Sequence, residues 1–294
     1  MGILGRLTGF VIGLAVVFAA AVVAGSWWGP TLATPVAHDD EPAHAAAAGH
    51  NSDADASADH LPGGLMRSQD GYSLELTEST AEPGAGVPLS FTVTGPDGSP
   101  HTAYDVEHGK RLHLIVVRRD LPGYQHVHPR LDTGSGTWST EVDLEPGTWR
   151  VFADFAVTDG PALTLGTDLT APGRVPPVDP VEAATTTTEV DGYSVVLAGD
   201  VVAEEDAELT LSVSRDGRPV TDLQPYLGAY GHLVALRDGD LAYLHVHPHD
   251  SDDAGPDIRF TAEVPSRGRY RLFLDFRHED KVRTASFDVT AVQR

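Results

Sequence analysis

The chain has 294 residues, enough for about two domains. A formal net charge of −23 at pH 7 argues against a nucleic-acid partner and favours a self-repelling surface or cationic ligands. Cysteine is absent, which excludes disulfides and thiolate metal ligands, and the two methionines, Met1 and Met66, exclude a thioether-rich copper(I) site.

Residues 9–25 are apolar and uncharged, with the single base Arg6 before them and Trp27 and Trp28 just after. This run is at the short limit of a membrane span, which needs roughly 20 residues. It is longer than a signal-peptide core of about 7–15. The tryptophan pair suits the membrane interface and Arg6 suits a cytoplasmic N-terminus. Residues 1–28 are therefore expected to form a membrane anchor, with a signal peptide as the alternative, and the remainder is expected to be extracytoplasmic. Residues 29–69 are rich in His, Asp and Ala, lack periodicity, and are expected to be a disordered tail. Its histidines His38, His44, His50 and His60 read either as a weak cation scavenger or as part of a solvated spacer.

Two units follow, at residues 70–172 and 190–294, joined by a Pro/Thr-rich linker at 173–189 that should be extended. They are a tandem repeat. Residues 98–129 align with 217–248 without a gap at an offset of 119, and residues 147–155 align with 268–276 at an offset of 121. Leu89, Phe91 and Val93, like Leu209, Leu211 and Val213, alternate as half-buried strands do. Turn signals such as Glu82-Pro83-Gly84, Glu145-Pro146-Gly147 and Asp216-Gly217 separate the runs, and no amphipathic helix follows the anchor. The expected fold is all-β: two tandem immunoglobulin-like β-sandwiches after an N-terminal transmembrane helix and a disordered tail.

The segment HLVALRDGDLAYLHVHP, from His232 to Pro248, is expected to be a β-hairpin turning at Asp238-Gly239. A two-residue turn there sets Arg237 opposite Asp240, Leu236 opposite Leu241 and His232 opposite His245, with His247 on the same face. HLIVVRRDLPGYQHVHP repeats the pattern with His113, His126 and His128. Three neutral imidazoles on one face suit copper(II) or zinc(II), so each unit is a candidate metal centre: His113, His126 and His128, and His232, His245 and His247. Asp154 and Asp275 lie within apolar late strands, where a carboxylate needs a partner, and are candidates to orient a ligating imidazole or to bind the ion. Tyr124 and Tyr243, and Trp149 and Tyr270, read as packing aromatics. His101, His108 and His278 have no counterpart in the other unit and read as surface positions, while His249 could add a ligand to the second site. The competing readings are structural histidines bonded to backbone and to the buried aspartates, or a surface for an organic ligand.

The motifs HLIVV…HVHP and HLVAL…HVHP, with Gly-x-Trp-Arg-Val-Phe-Ala-Asp-Phe and Gly-x-Tyr-Arg-Leu-Phe-Leu-Asp-Phe, resemble exported YtkA-like and FixH-like β-sandwich modules. Those modules are distantly similar to CopC-like copper-resistance proteins. The resemblance implies an immunoglobulin-like fold, export, and a link to copper handling or envelope cuproenzyme assembly. The chain has no Gly-x-Ser-x-Gly, His-Glu-x-x-His or phosphate-cradling glycine loop, and it is not read as an enzyme. The expectation is a single-pass cell-membrane protein that binds a transition metal, copper or zinc, and has an envelope protein as a possible partner. The alternative is a non-catalytic envelope interaction module with structural histidines.

Overall fold

A computed structural model describes residues 62–178, 184–244, 246–249 and 251–293. The expected anchor and the tail up to residue 61 lie outside the described residues. Among the described residues no helix is long and apolar enough to cross a membrane.

Among the described residues every regular element is a strand. The first repeat contains β1 (Ser68–Gln69), β2 (Tyr72–Leu76), β3 (Gly84–Thr94), β4 (His113–Arg118), β5 (Gln125–Val127), β6 (Arg130–Asp132), β7 (Thr137–Leu144), β8 (Gly147–Ala156) and β9 (Ala162–Ala171). The second contains β10 (Thr187–Val190), β11 (Tyr193–Ala198), β12 (Glu205–Arg215), β13 (Arg218–Pro219), β14 (Gly231–Arg237), β15 (Tyr243–Leu244), β16 (Val246–Pro248), β17 (Asp257–Val264), β18 (Gly268–His278) and β19 (Lys281–Ala291). Each repeat folds into two antiparallel sheets. One runs β1-β2-β3-β7-β6 in the first repeat and β10-β11-β12-β17-β16 in the second. The other runs β5-β4-β8-β9 and β15-β14-β18-β19.

Alternation explains the cores. Leu89, Phe91 and Val93 of β3 point inward with Trp138, Trp149 and Leu114, while Leu209, Leu211 and Val213 of β12 do the same with Phe260, Tyr270 and Phe287. Trp149 and Tyr270 keep their polar ends satisfied, Nε1 donating to Glu145 O at 2.9 Å and the hydroxyl to Ser266 O at 2.7 Å. These are two immunoglobulin-like sandwiches, as the spacing of strands and turns predicts.

The two sandwiches are docked face to face. β4 is buried at every position, because Leu114 and Val116 face their own core while Ile115 and Val117 face the other repeat. A third apolar cluster joins Ile115, Val117, Leu121 and Phe152 to Val234, Leu236, Leu241, Tyr243 and Phe273. Its contacts are reciprocal between equivalent residues. Tyr124 stacks on Phe273 with ring centroids 4.0 Å apart, and Phe152 meets Tyr243 at 5.6 Å.

The last residues assigned to the tail are also part of the fold. Gly64 N donates to Thr164 O at 2.7 Å, and Gly63 bridges to Tyr243. The buried Arg150 guanidinium donates to Gly64 O at 2.6 Å and Leu65 O at 2.9 Å as well as to Asp168 Oδ1 at 2.9 Å, so this stretch is held by acceptors it offers to Arg150.

The hairpins close two residues further along than a two-residue turn requires. Leu236 pairs with Tyr243 and Ala235 with Leu244, rather than Leu236 with Leu241. The loop grows because the Asp240 carboxylate accepts from Arg237 Nε at 2.9 Å and from Ala242 N at 3.1 Å. Leu241, at φ 62°, turns into the apolar cluster between the sandwiches. A two-residue shift keeps the paired residues of β14 and β15 on their expected faces, whereas a one-residue slip would have reversed them.

In the first hairpin Gly123 sits at φ 71°, and a Cβ there would lie 2.5 Å from Trp149 Cη2. Trp149 is 2 % exposed and cannot yield. Gly123→Ala is therefore expected to cost about 2–4 kcal/mol from left-handed backbone and overpacking together. A urea midpoint indistinguishable from wild type would contradict this packing.

Candidate metal centre where the sandwiches meet

Strand alternation builds the site. His113 opens β4 and shares a face with Ile115 and Val117, the face turned toward the second sandwich. His126 is registered opposite Ile115, and His128 follows two residues later on the same side. In the second sandwich His232 shares a face with Val234 and Leu236, and Asp275 is its cross-strand partner. The rings of His113, His126 and His128 lie 4.8–5.2 Å apart, and one ligand nitrogen from each falls within 4.8 Å of the others. His232 joins them from across the boundary, 4.6 Å from the His126 ring and 5.3 Å from that of His113.

Proton accounting shows what this cluster lacks. Asp275 Oδ2 accepts from His126 Nδ1 at 2.9 Å, and Thr284 Oγ1 donates to the other oxygen at 2.6 Å. A carboxylate offers no proton, so His126 carries its own on Nδ1, and the neutral ring has a bare lone pair on Nε2. His113 Nε2 lies 3.2 Å from Glu107 O, a pure acceptor, and its Nδ1 faces His126 Nε2, so the one proton of a neutral His113 serves only one of the two contacts. His113 Nδ1 and His126 Nε2 stand 3.0 Å apart, as donor and acceptor in one tautomer of His113 and as two acceptors in the other. Two neutral rings bring two protons to three contacts, and a cation between His113 Nδ1 and His126 Nε2, a proton on a charged ring or a metal ion, would let all three be satisfied.

Burial, and then the neighbouring His126, lower the His113 pKa to about 4. His128 is lowered to about 3, by burial first and then by His126 and His113, and burial depresses His232 as well. These three rings are neutral at pH 7, and His128 Nε2 and His232 Nδ1 are buried without a hydrogen-bond partner.

A consequence for stability follows in the metal-free chain. Unfolded histidine titrates near 6.5 and folded His113 near 4, so this group's contribution is fully present above pH 6.5. It is lost as pH falls toward 4, because the unfolded state binds the proton first. The loss from His113 is expected to be about 3 kcal/mol. Urea unfolding of wild type and His113→Gln at pH 7 and pH 4.5 checks it; equal acid sensitivity in both chains would contradict it.

The second expected trio is not gathered in the same way. His247 is exposed on β16, in the opposite sheet, registered against Thr261, and His245 lies outside the described residues. His249 reaches Thr261 Oγ1 at 2.7 Å and Glu208 at 3.3 Å, not the cluster. Asp154 is opposite His113 and accepts from Thr164 Oγ1 at 2.8 Å. A cleft of about 480 Å³ opens beside the cluster, lined by His108, His113, Asp154, His232, Tyr243 and His247 among others. His108 is an addition to the sequence reading: it is exposed, but its ring stands 5.9 Å from that of His232. His278 is a correction. It is 8 % exposed and held between the Tyr193 hydroxyl at 2.7 Å and Asp222 at 3.0 Å.

Fold and site together define a tandem immunoglobulin-like repeat protein with a histidine cluster built from both repeats. Residues 67–173 and 188–293 each match the family model described as "Domain of unknown function (DUF8832)", and the chain belongs to that family. A search of curated proteins found no match. Among solved structures the chain is similar to the FdeC adhesin of Escherichia coli, with 14% identity over 80% of this chain and 66% of that one and a TM-score of 0.24. It is also similar to the adhesin InvE of Yersinia pseudotuberculosis, with 11% identity over 75% of this chain and 58% of that one and a TM-score of 0.24. A Salmonella alpha-2-macroglobulin gives 15% identity over 81% of this chain but only 16% of that one, with a TM-score of 0.27. Likenesses this weak carry no functional information. None of these matches is to a YtkA-like, FixH-like or CopC-like module.

Proposed function

We propose that this protein is a membrane-anchored, extracytoplasmic binder of a divalent transition metal, copper(II) or zinc(II), with no catalysis of its own. The ion is held by His113, His126 and His128 where the two sandwiches meet. The observation that carries this reading is the 3.0 Å approach of His113 Nδ1 to His126 Nε2, in a set of three contacts for which two neutral rings have only two protons. Imidazole nitrogens bound at about 2.0–2.1 Å to one tetrahedral ion stand roughly 3.3 Å apart, so a small adjustment converts the facing pair into a ligand pair. The carboxylate of Asp275 orients His126 as metal-bound imidazoles are commonly oriented. His113 and His128, neutral at pH 7, bind without first losing a proton, and a net charge of −23 concentrates cations near the surface.

Anchoring at the cell membrane rests on residues 1–28, and a role in passing copper to an envelope protein rests on the motif resemblance. The second reading places a proton instead of a metal between the rings. His126 is then an imidazolium paired with Asp275, both side chains 2 % exposed, and the cluster is a structural joint in an envelope interaction module.

Titrating zinc(II) into the full chain carrying His38→Ala, His44→Ala, His50→Ala and His60→Ala decides between them. Saturable binding that weakens at least about a hundredfold in His126→Ala and in His128→Ala is expected. Uptake that is absent, or unchanged in those variants, leaves the structural reading.

A further inference from the structure

We propose that the bound ion takes His232 as its fourth ligand and so bridges the two sandwiches, making metal binding and interdomain docking one linked equilibrium. This rests on the metal reading above and adds the part played by the second repeat.

Four imidazoles turn nitrogens toward this place: His113 Nδ1 and His126 Nε2, 3.0 Å apart, and His128 Nε2 and His232 Nδ1, which are buried and unpartnered. Three come from the first sandwich and one from the second. An unpartnered buried nitrogen is costly, and native folds rarely leave one without a role. The His232 ring stands 4.6 Å from that of His126 and nearly parallel to His113 at 18°, beside the three rings whose nitrogens already lie within 4.8 Å of one another, so it has to close on the ion as the ion binds. Four imidazole nitrogens are a chemically coherent set for copper(II) or zinc(II).

The site already crosses the boundary without an ion. His126 of the first sandwich is held by Asp275 of the second, 149 residues away in sequence. A ligand that binds only the docked arrangement stabilises docking by mass action. The two sandwiches meet through the apolar cluster around Phe152 and Phe273, so the ion acts on a contact that exists and holds one edge of it closed.

Copper(II) binding to the full chain, in the same background lacking the tail histidines, tests the bridge. Pulsed electron paramagnetic resonance counts bound imidazoles, and competition with a chromophoric chelator reads affinity. Four imidazoles in wild type, three in His232→Ala, and at least a tenfold loss of affinity are expected. His232→Gln, which keeps the bulk and polarity of the site, replaces the alanine variant if that chain fails to fold. Hydrogen exchange adds a second readout: zinc(II) should slow exchange in β14 of wild type but not of the His232 variant. Three imidazoles and equal affinity in both chains would overturn the bridge and leave the three-histidine site intact. No saturable copper binding in wild type would overturn both.

Discussion

Asp275→Ala is expected to lower stability by about 3–5 kcal/mol, because it leaves one member of a buried, hydrogen-bonded pair without its partner. Asp275 is 2 % exposed and accepts from both His126 Nδ1 and Thr284 Oγ1, so its removal orphans two donors at once. The same change should weaken metal binding by about 10–100-fold, since His126 loses the group that fixes its tautomer and its orientation. Asp275→Asn separates the two effects. The amide oxygen still accepts from His126, so most of the stability should return while the charge that raises the basicity of His126 does not. Urea unfolding and zinc competition on the three chains measure both quantities. Equal metal affinity in wild type and Asp275→Ala would show that His126 does not depend on this carboxylate.

Phe273→Ala is expected to be as damaging, at about 3–5 kcal/mol for a buried phenylalanine, but to act on a different contact. Phe273 is 4 % exposed, stacks on Tyr124 of the first sandwich, and belongs to the cluster between the repeats rather than to its own core. The cavity therefore opens at the docking face. Each sandwich keeps its own core, so calorimetry should resolve the wild-type transition into two in the variant. The alternative outcome, one cooperative transition shifted as a whole, would mean that the sandwiches do not unfold independently once their contact is weakened.

The fold was largely legible in the sequence because period-two alternation and turn residues are local signals. Leu89, Phe91 and Val93 announce a strand without reference to anything distant, and the duplicated spacing announces a second copy. The hairpin register was less legible. Asp238-Gly239 looks like a two-residue turn, yet the competition was won by the Asp240 carboxylate and by Leu241, which gains burial against the other sandwich. The docking of the repeats left a trace that can be recognised afterwards. His113 to Val117 and His232 to Leu236 are continuous apolar runs after their first residue, which fits a strand covered on both faces.

The site was legible only in its local half. The expected His113, His126 and His128 set follows from one hairpin, and the even register shift left those rings on one face. That His232 and Asp275 would meet them depends on docking between repeats, which no spacing along the chain encodes. His278 was misread for a related reason: it has no duplicate, but it fills a local pocket against Tyr193.

The most direct measurement is anomalous diffraction at the zinc edge from crystals of the full chain grown with zinc(II). The expected result is a peak at about 2.0–2.1 Å from nitrogens of His113, His126 and His128, on the boundary between the sandwiches. A map at saturating zinc with no peak there, the His113–His126 contact unchanged and His126 still hydrogen-bonded to Asp275, would contradict the metal reading and leave a proton as the cation between the rings.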